Sequence, residues 1–347
     1  MLGFFRFFLA FLVAFTHMAV EFGNPEYIAF DFSNGAVIGF YFLSGFLVSR
    51  SFSRFYSKSK NPCKDFYLDR CIRLYPAFFI VFICATLILI AKNIDLNYSN
   101  LLFELLIIPS NYTSLLPTVK PIPVAWSLGL EFHFYLLLPL LLKFRNSVKA
   151  VVILFLFFLQ FFIFNIDGSL NDYGATKSYC QNYLNGTFFC SSKISQLLGY
   201  KLMPVPLLYF VLGHLLQTNK KLFDNFFKIF LLLSFMFLII SADTGSLKNY
   251  MVDDIYLGTI FIMPMAYLLI TTKVNIKFDK IFGSIAYPLF LVHYPVIWLA
   301  RDVLEIEFLY SFSIFFSIVL SYILALLQDS IDKYRYSLRG FGITKPQ

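Results

Sequence analysis

Ionisable side chains recur inside apolar runs of this sequence, and three groups of them are of types and spacings that could do chemistry. Arg6 and His17 stand eleven residues apart. At about 100° per residue that is about 20° past three full turns, so both lie on one helix face, about 16 Å apart along the axis. Glu21, four residues beyond His17, shares the face and could orient the imidazole. Arg70 and Arg73 project to one side of a helical turn, a spacing suited to clamping phosphates. Ordinary anchoring of basic residues at a membrane edge accounts for that pair equally well. Glu131 lies one turn before Tyr135 in the run Trp126-Ser127-Leu128-Gly129-Leu130-Glu131-Phe132-His133-Phe134-Tyr135 and is expected near the outer leaflet. An interfacial aromatic belt explains the rings but leaves the carboxylate unexplained. Ionisable groups inside a membrane are costly and face a cavity or a partner. For His17 alone, an interhelical hydrogen bond is the plainer alternative.

The elements that carry these groups are transmembrane helices. Of 347 residues, 59% are hydrophobic and 14% charged, against about a quarter charged in soluble domains. Apolar runs long enough to cross a hydrocarbon core of about 30 Å recur along the chain, without the alternation of a barrel. The expected fold class is all-α, a polytopic bundle of about ten helices at 4–22, 35–49, 74–92, 123–142, 150–166, 200–217, 226–241, 255–272, 281–299 and 308–327. The second is short, contains Ser44 and Gly45, and is expected to be tilted or broken. Segment 101–109 is too short to span and is expected on the membrane surface. Residues 1–330 form the membrane domain, and 331–347 a basic cytoplasmic tail. The first span lacks a small-residue cleavage site and reads as a retained helix rather than a signal peptide.

Charge sets the expected orientation. With the N-terminus cytoplasmic, 21 of the 28 basic residues fall in inside segments and 7 in outside loops, the asymmetry of the positive-inside rule. Both termini are then cytoplasmic. Cys180 and Cys190 fall in the long external loop 167–199, where an oxidising compartment permits a disulfide between them. Cys63, Cys71 and Cys84 are expected as reduced thiols, and no Cys/His spacing suggests a metal. The net charge of +8 is spread over short loops, leaving no basic domain for nucleic acid.

Five segments, in order, resemble the family-3 membrane acyltransferases, which include bacterial O-acetyltransferases of lipopolysaccharide, capsule and peptidoglycan. They are Arg6 with His17; Phe40-Tyr41-Phe42-Leu43-Ser44-Gly45-Phe46-Leu47; Arg70-Cys71-Ile72-Arg73-Leu74-Tyr75-Pro76; Trp126-Ser127-Leu128 with Glu131, Phe134 and Tyr135; and Ser284 to Pro295 with His293. Departures exist. Phe132 and His133 replace a second acidic residue and Gln, Val37 and Ile38 stand where an acidic residue often lies, and no SGNH-type esterase domain follows before Gln347. The chain is therefore expected to act on its acceptor alone or with a separate partner.

The resemblance implies an inner-membrane O-acyltransferase, with acetyl-CoA as cytoplasmic co-substrate and a surface-glycan hydroxyl as acceptor. It implies Arg70 and Arg73 on the donor phosphates, helped by Arg6, and His17 as general base or transient acyl carrier, oriented by Glu131 or Glu21. Ser44, Gly45, Trp126, Ser127, Tyr135 and His293 are supporting motif residues. For His293, acceptor positioning and helix packing are both open, and His214 and Glu104 match no motif. The main rival is a transporter or flippase of a lipid-linked glycan, which would favour an inverted repeat; the charged motifs instead crowd into the first 135 residues. A structural subunit of a polysaccharide-assembly complex is a third reading. Acceptor identity and oligomeric state are not written in the sequence.

Overall fold

Long runs of Leu, Ile and Phe, with few glycines or prolines to interrupt them, can satisfy their backbone polar groups inside lipid only as helices. In the computed structural model all regular structure among the described residues is helical; these are 1–23, 33–113, 119–166, 200–243, 255–272, 275–306 and 308–338. The order is α1 (Leu2–Glu21), α2 (Ser33–Ser51), α3 (Pro62–Ala91), α4 (Tyr98–Leu105), α5 (Ser110–Thr113), α6 (Ala125–Lys143), α7 (Asn146–Ile166), α8 (Pro204–Thr218) and α9 (Lys220–Asp243). Then follow α10 (Ile255–Thr271), α11 (Asp279–Trp298) and α12 (Leu309–Leu338). Among the described residues eight helices are long and apolar enough to cross a membrane, while α8 and α10 fall on expected spans but are shorter.

The central helices are separated from the lipid-facing ones by burial. Along the apolar stretch of α2, 78% of the residues are buried, against 22% along that of α9. Helices α11, α1, α2 and α8 pack side by side in that order, with α3 and α12 closing against α11. On the outside, Phe155, Phe162, Leu232 and Phe315 point away from the protein, as lipid-facing side chains do.

Three expected elements differ. Helix α2 is continuous rather than broken at Ser44 and Gly45, and leads directly into a π-helical turn, Phe52–Tyr56. Gly45 is there for contact: a Cβ on it would lie 2.0 Å from the Phe210 carbonyl oxygen of α8, and one on Gly213 would lie 2.0 Å from that of Phe42. The two glycines let α2 and α8 meet backbone to backbone.

Helix α3 starts at Pro62, twelve residues before the expected span, so Arg70 and Arg73 lie within a helix rather than in a loop. Proline at the first turn and Asp65 near it suit a helix start. Pro76 removes one internal hydrogen bond without ending the helix. Segment 98–105 forms α4, with Leu102 exposed and Glu104 buried. At the other end α12 continues past residue 330 to Leu338, which carries Arg335 back onto α3.

Candidate active site

A cavity of about 350 Å³ lies among α1, α2, α3, α6, α11 and α12. That is within the usual size range of small-molecule sites, about 300–1,000 Å³. Along α2 its lining runs from Val37 to Ser51, about 21 Å of helix, which is most of a hydrocarbon core.

Four guanidiniums line it, those of Arg6, Arg70, Arg73 and Arg335, against one carboxylate, Glu131. They are not equivalent. Arg70 Nη2 lies 2.5 Å from Asp69 Oδ2, and Arg335 Nε lies 3.2 Å from Asp69 Oδ1. Arg335 also meets Asp332 at 3.0 Å. Arg70 is further held over the rings of Phe66 and Tyr135 at 5.6 and 5.9 Å. Arg6 and Arg73 form no ion pair among the described residues, and each feels the other's charge. Two like charges facing one cavity, outnumbering the single carboxylate that lines it with them, make a receptor for an anion.

Glu131 lies in this same cavity, on α6. Its Oε1 accepts a 2.7 Å hydrogen bond from Ser44 Oγ and another from the Tyr135 hydroxyl. It therefore ties α2 to α6 and sets a negative charge beside Arg6. This corrects the expectation that Glu131 orients His17. Both hydrogen-bond partners of the carboxylate reach it from within the cavity, Ser44 across from α2 and Tyr135 one turn further along α6, so it is held there.

His17 lies elsewhere along the bundle. Its Nδ1 is 3.0 Å from Nε2 of His293 on α11. The two rings are near parallel, with centroids 5.2 Å apart, and Tyr294 packs 4.9 Å from His17. Phe290, which lines the cavity, is three residues before His293, about 4.5 Å along the helix, and their rings are 6.1 Å apart. The histidine pair thus sits one turn beyond the cavity wall. Glu21 does not orient His17 either. Its carboxylate and its backbone carbonyl both accept from Arg301 Nη1, at 2.7 and 2.9 Å. The fixed guanidinium charge and the need to satisfy a carbonyl at the helix end outcompete an imidazole. Arg301 also pairs with Asp302, which meets Lys92 at 2.6 Å, so these residues staple the ends of α1, α3 and α11.

A family model described as an acyltransferase domain matches residues 2–327. The chain belongs to the family-3 acyltransferases. It is 26% identical over 242 residues to an uncharacterised protein of Aquifex aeolicus, covering 65% of this chain and 95% of that one. It is 31% identical over 133 residues to an uncharacterised protein of Haemophilus influenzae, covering 33% of this chain and 54% of the relative, about half its length. No solved structure matches.

In this membrane acyltransferase the segments that the sequence singled out converge, but on two centres. Arg6, Ser44, Arg70, Arg73, Ser127, Glu131 and Tyr135 line the cavity; His17 and His293 form the pair beyond it. Gly45 serves helix contact, and Trp126 packs 4.8 Å from Tyr200. His133 bonds the Gly129 carbonyl at 2.7 Å and faces Tyr112. His214 is buried against Ser49 at 2.8 Å. Cys180 and Cys190 lie outside the described residues. Sequence reasoning missed Asp69 and Arg335. The first adjoins Arg70 and was legible as an i−1 acid; the second lay in a stretch read as a tail.

Proposed function

We propose that this acyltransferase moves an acetyl group from cytoplasmic acetyl-CoA to a hydroxyl of a surface glycan, across the inner membrane. The observation that carries the reading is the cavity with four arginines at one end and the histidine pair one turn beyond its wall. Arg6 and Arg73 hold the donor's phosphates, with Arg70 and Arg335 supporting the same field. The thioester end extends along α2 toward His17.

The chemistry balances without a further reactant. The acceptor oxygen attacks the thioester carbonyl carbon while its proton passes to His17. The C–S bond breaks, and the thiolate takes that proton to leave as free thiol. Ester and thiol are the products. Ser44 and Tyr135 hold Glu131 beside Arg6, where it offsets charge that would otherwise repel Arg73.

The test is the O-acetyl content of purified surface polysaccharide, read by NMR, in deletion cells carrying the wild type or His17→Ala. Return of acetyl signals with the wild type alone is the expected result, and the shifted sugar protons name the acceptor. Restoration by both proteins would move catalysis away from His17. Loss of glycan export with no change in acylation would favour a flippase.

A further inference from the structure

The contact between His17 and His293 determines more than their proximity. His293 is fully buried on α11, and its Nδ1 lies 3.3 Å from the carbonyl oxygen of Leu289, one turn back on the same helix. A carbonyl only accepts, and it has a second lone pair free beside its helix bond. Nδ1 of His293 therefore carries the hydrogen, and in the neutral ring Nε2 carries the lone pair. That Nε2 is the atom facing His17 Nδ1 at 3.0 Å. The contact needs one proton between the two nitrogens, and His17 must supply it.

We infer that His293 is a positioning residue that fixes His17 in its Nδ1–H tautomer, leaving Nε2 of His17 as the atom that exchanges a proton with the substrate. The argument holds for either charge state of His17, because the neutral and charged rings both donate from Nδ1; only Nε2 gains or loses the proton. The near-parallel rings, 16° apart, and the tyrosine ring of Tyr294 against both imidazoles limit rotation of either. The arrangement does for a histidine base what a carboxylate or carbonyl partner does elsewhere, without adding a formal charge to the span. The inference rests on His17 being the transferring base.

The experiment uses the full chain in lipid nanodiscs with 15N-labelled imidazoles. Only four histidines are present, so His17 is identified from the signals missing in a His17→Gln sample. In the wild type, His17 is expected to show a protonated Nδ1 and an unprotonated Nε2. His293→Leu removes the acceptor, so the tautomer becomes mixed and kcat falls about 100-fold or more, with donor KM changed less than about threefold, since the cavity arginines are untouched. His293→Gln places an amide oxygen close to where Nε2 stood, and should restore the tautomer and bring kcat to within about tenfold of wild type. Unchanged signals from His214, bonded to Ser49 on other helices, report that the variants are folded. A protonated Nε2 on wild-type His17 would overturn the inference, as would a His293→Leu chain that keeps both tautomer and kcat. A wild-type chain with the expected tautomer and no acyl transfer sustains the positioning and removes the transferase reading.

Discussion

Arg335, near the end of the last helix, places its Nε 3.2 Å from Oδ1 of Asp69 on α3. The other carboxylate oxygen of Asp69 meets Arg70 at 2.5 Å, and all three residues are at least 95% buried. One buried carboxylate therefore serves two guanidiniums and joins helices far apart in sequence at the cavity's arginine end. Removing a single partner from such a group leaves uncompensated charge and costs about 3–5 kcal/mol. Asp69→Asn is expected to lower the thermal unfolding midpoint in detergent clearly, and Arg335→Met less so, because Arg70 still neutralises Asp69. An Asp69→Asn chain as stable as wild type would show that water or lipid reaches these arginines.

Arg73 and Arg70 are separated by one helical turn but not by one role. Arg70 is locked by Asp69 and the Phe66 and Tyr135 rings, whereas Arg73 lines the cavity with no ion pair among the described residues. A charge-assisted hydrogen bond contributes about 1.5–3 kcal/mol, so Arg73→Gln should raise the donor KM about 10- to 100-fold at nearly constant stability. Arg73→Lys should recover part of it, losing the bidentate geometry. Arg70→Gln should show mainly as instability. Titration of acetyl-CoA against initial rate in nanodiscs, beside a melting curve for each variant, separates these outcomes; the reverse pattern would exchange the two assignments.

The fold class was legible because composition in lipid leaves the backbone little choice. Helix contact at Gly45 was half legible: the motif was visible, but its partner Gly213 lies in a different span and only packing brings them together. For the site, residue types were readable and pairings were not. Periodicity put Glu21 on the face of His17, yet it cannot show that Arg301, 280 residues away, competes for the same carboxylate. It put Glu131 near the outer end of its span, and could not show that Ser44 would draw the carboxylate into a cavity lined by four arginines. Arg335 was hidden because a basic residue beyond an apolar run looks like a tail, while the helix in fact continues to Leu338.

Glu131 separates positioning from charge. Glu131→Gln keeps an amide oxygen to accept from Ser44 and Tyr135 and removes the negative charge beside Arg6. It should lower the melting midpoint only slightly, since the repulsion between Arg6 and Arg73 is no longer offset, lower the donor KM, and reduce kcat less than about tenfold. Glu131→Ala leaves both hydroxyls without their acceptor and should cost about 1–3 kcal/mol. A collapse of kcat in the Gln variant, with stability intact, would place the carboxylate itself in the proton path.

Lys201 falls inside the expected span 200–217 but three residues ahead of the observed helix α8, which starts at Pro204, and it gives the protein a pH dependence of its own. Burial, and secondarily the ammonium of Lys120, pull its pKa down from 10.5 to about 8. Lys120 itself is lowered by burial and partly restored by Glu104, 3.6 Å away. The sign follows from proton counts. Between about pH 8 and 10.5 the unfolded chain holds the proton on Lys201 and the folded chain does not, so unfolding takes up a proton and stability rises with pH. Below pH 8 both states are charged and this contribution is flat. The melting midpoint in an uncharged detergent should therefore rise across that window more steeply in the wild type than in Lys201→Met, which carries no titrating group there. Lys120→Met should move the onset of the rise to higher pH, since the neighbouring charge is gone. Parallel curves for wild type and Lys201→Met would mean that Lys201 keeps its proton in the folded protein, held by a partner that offsets its burial.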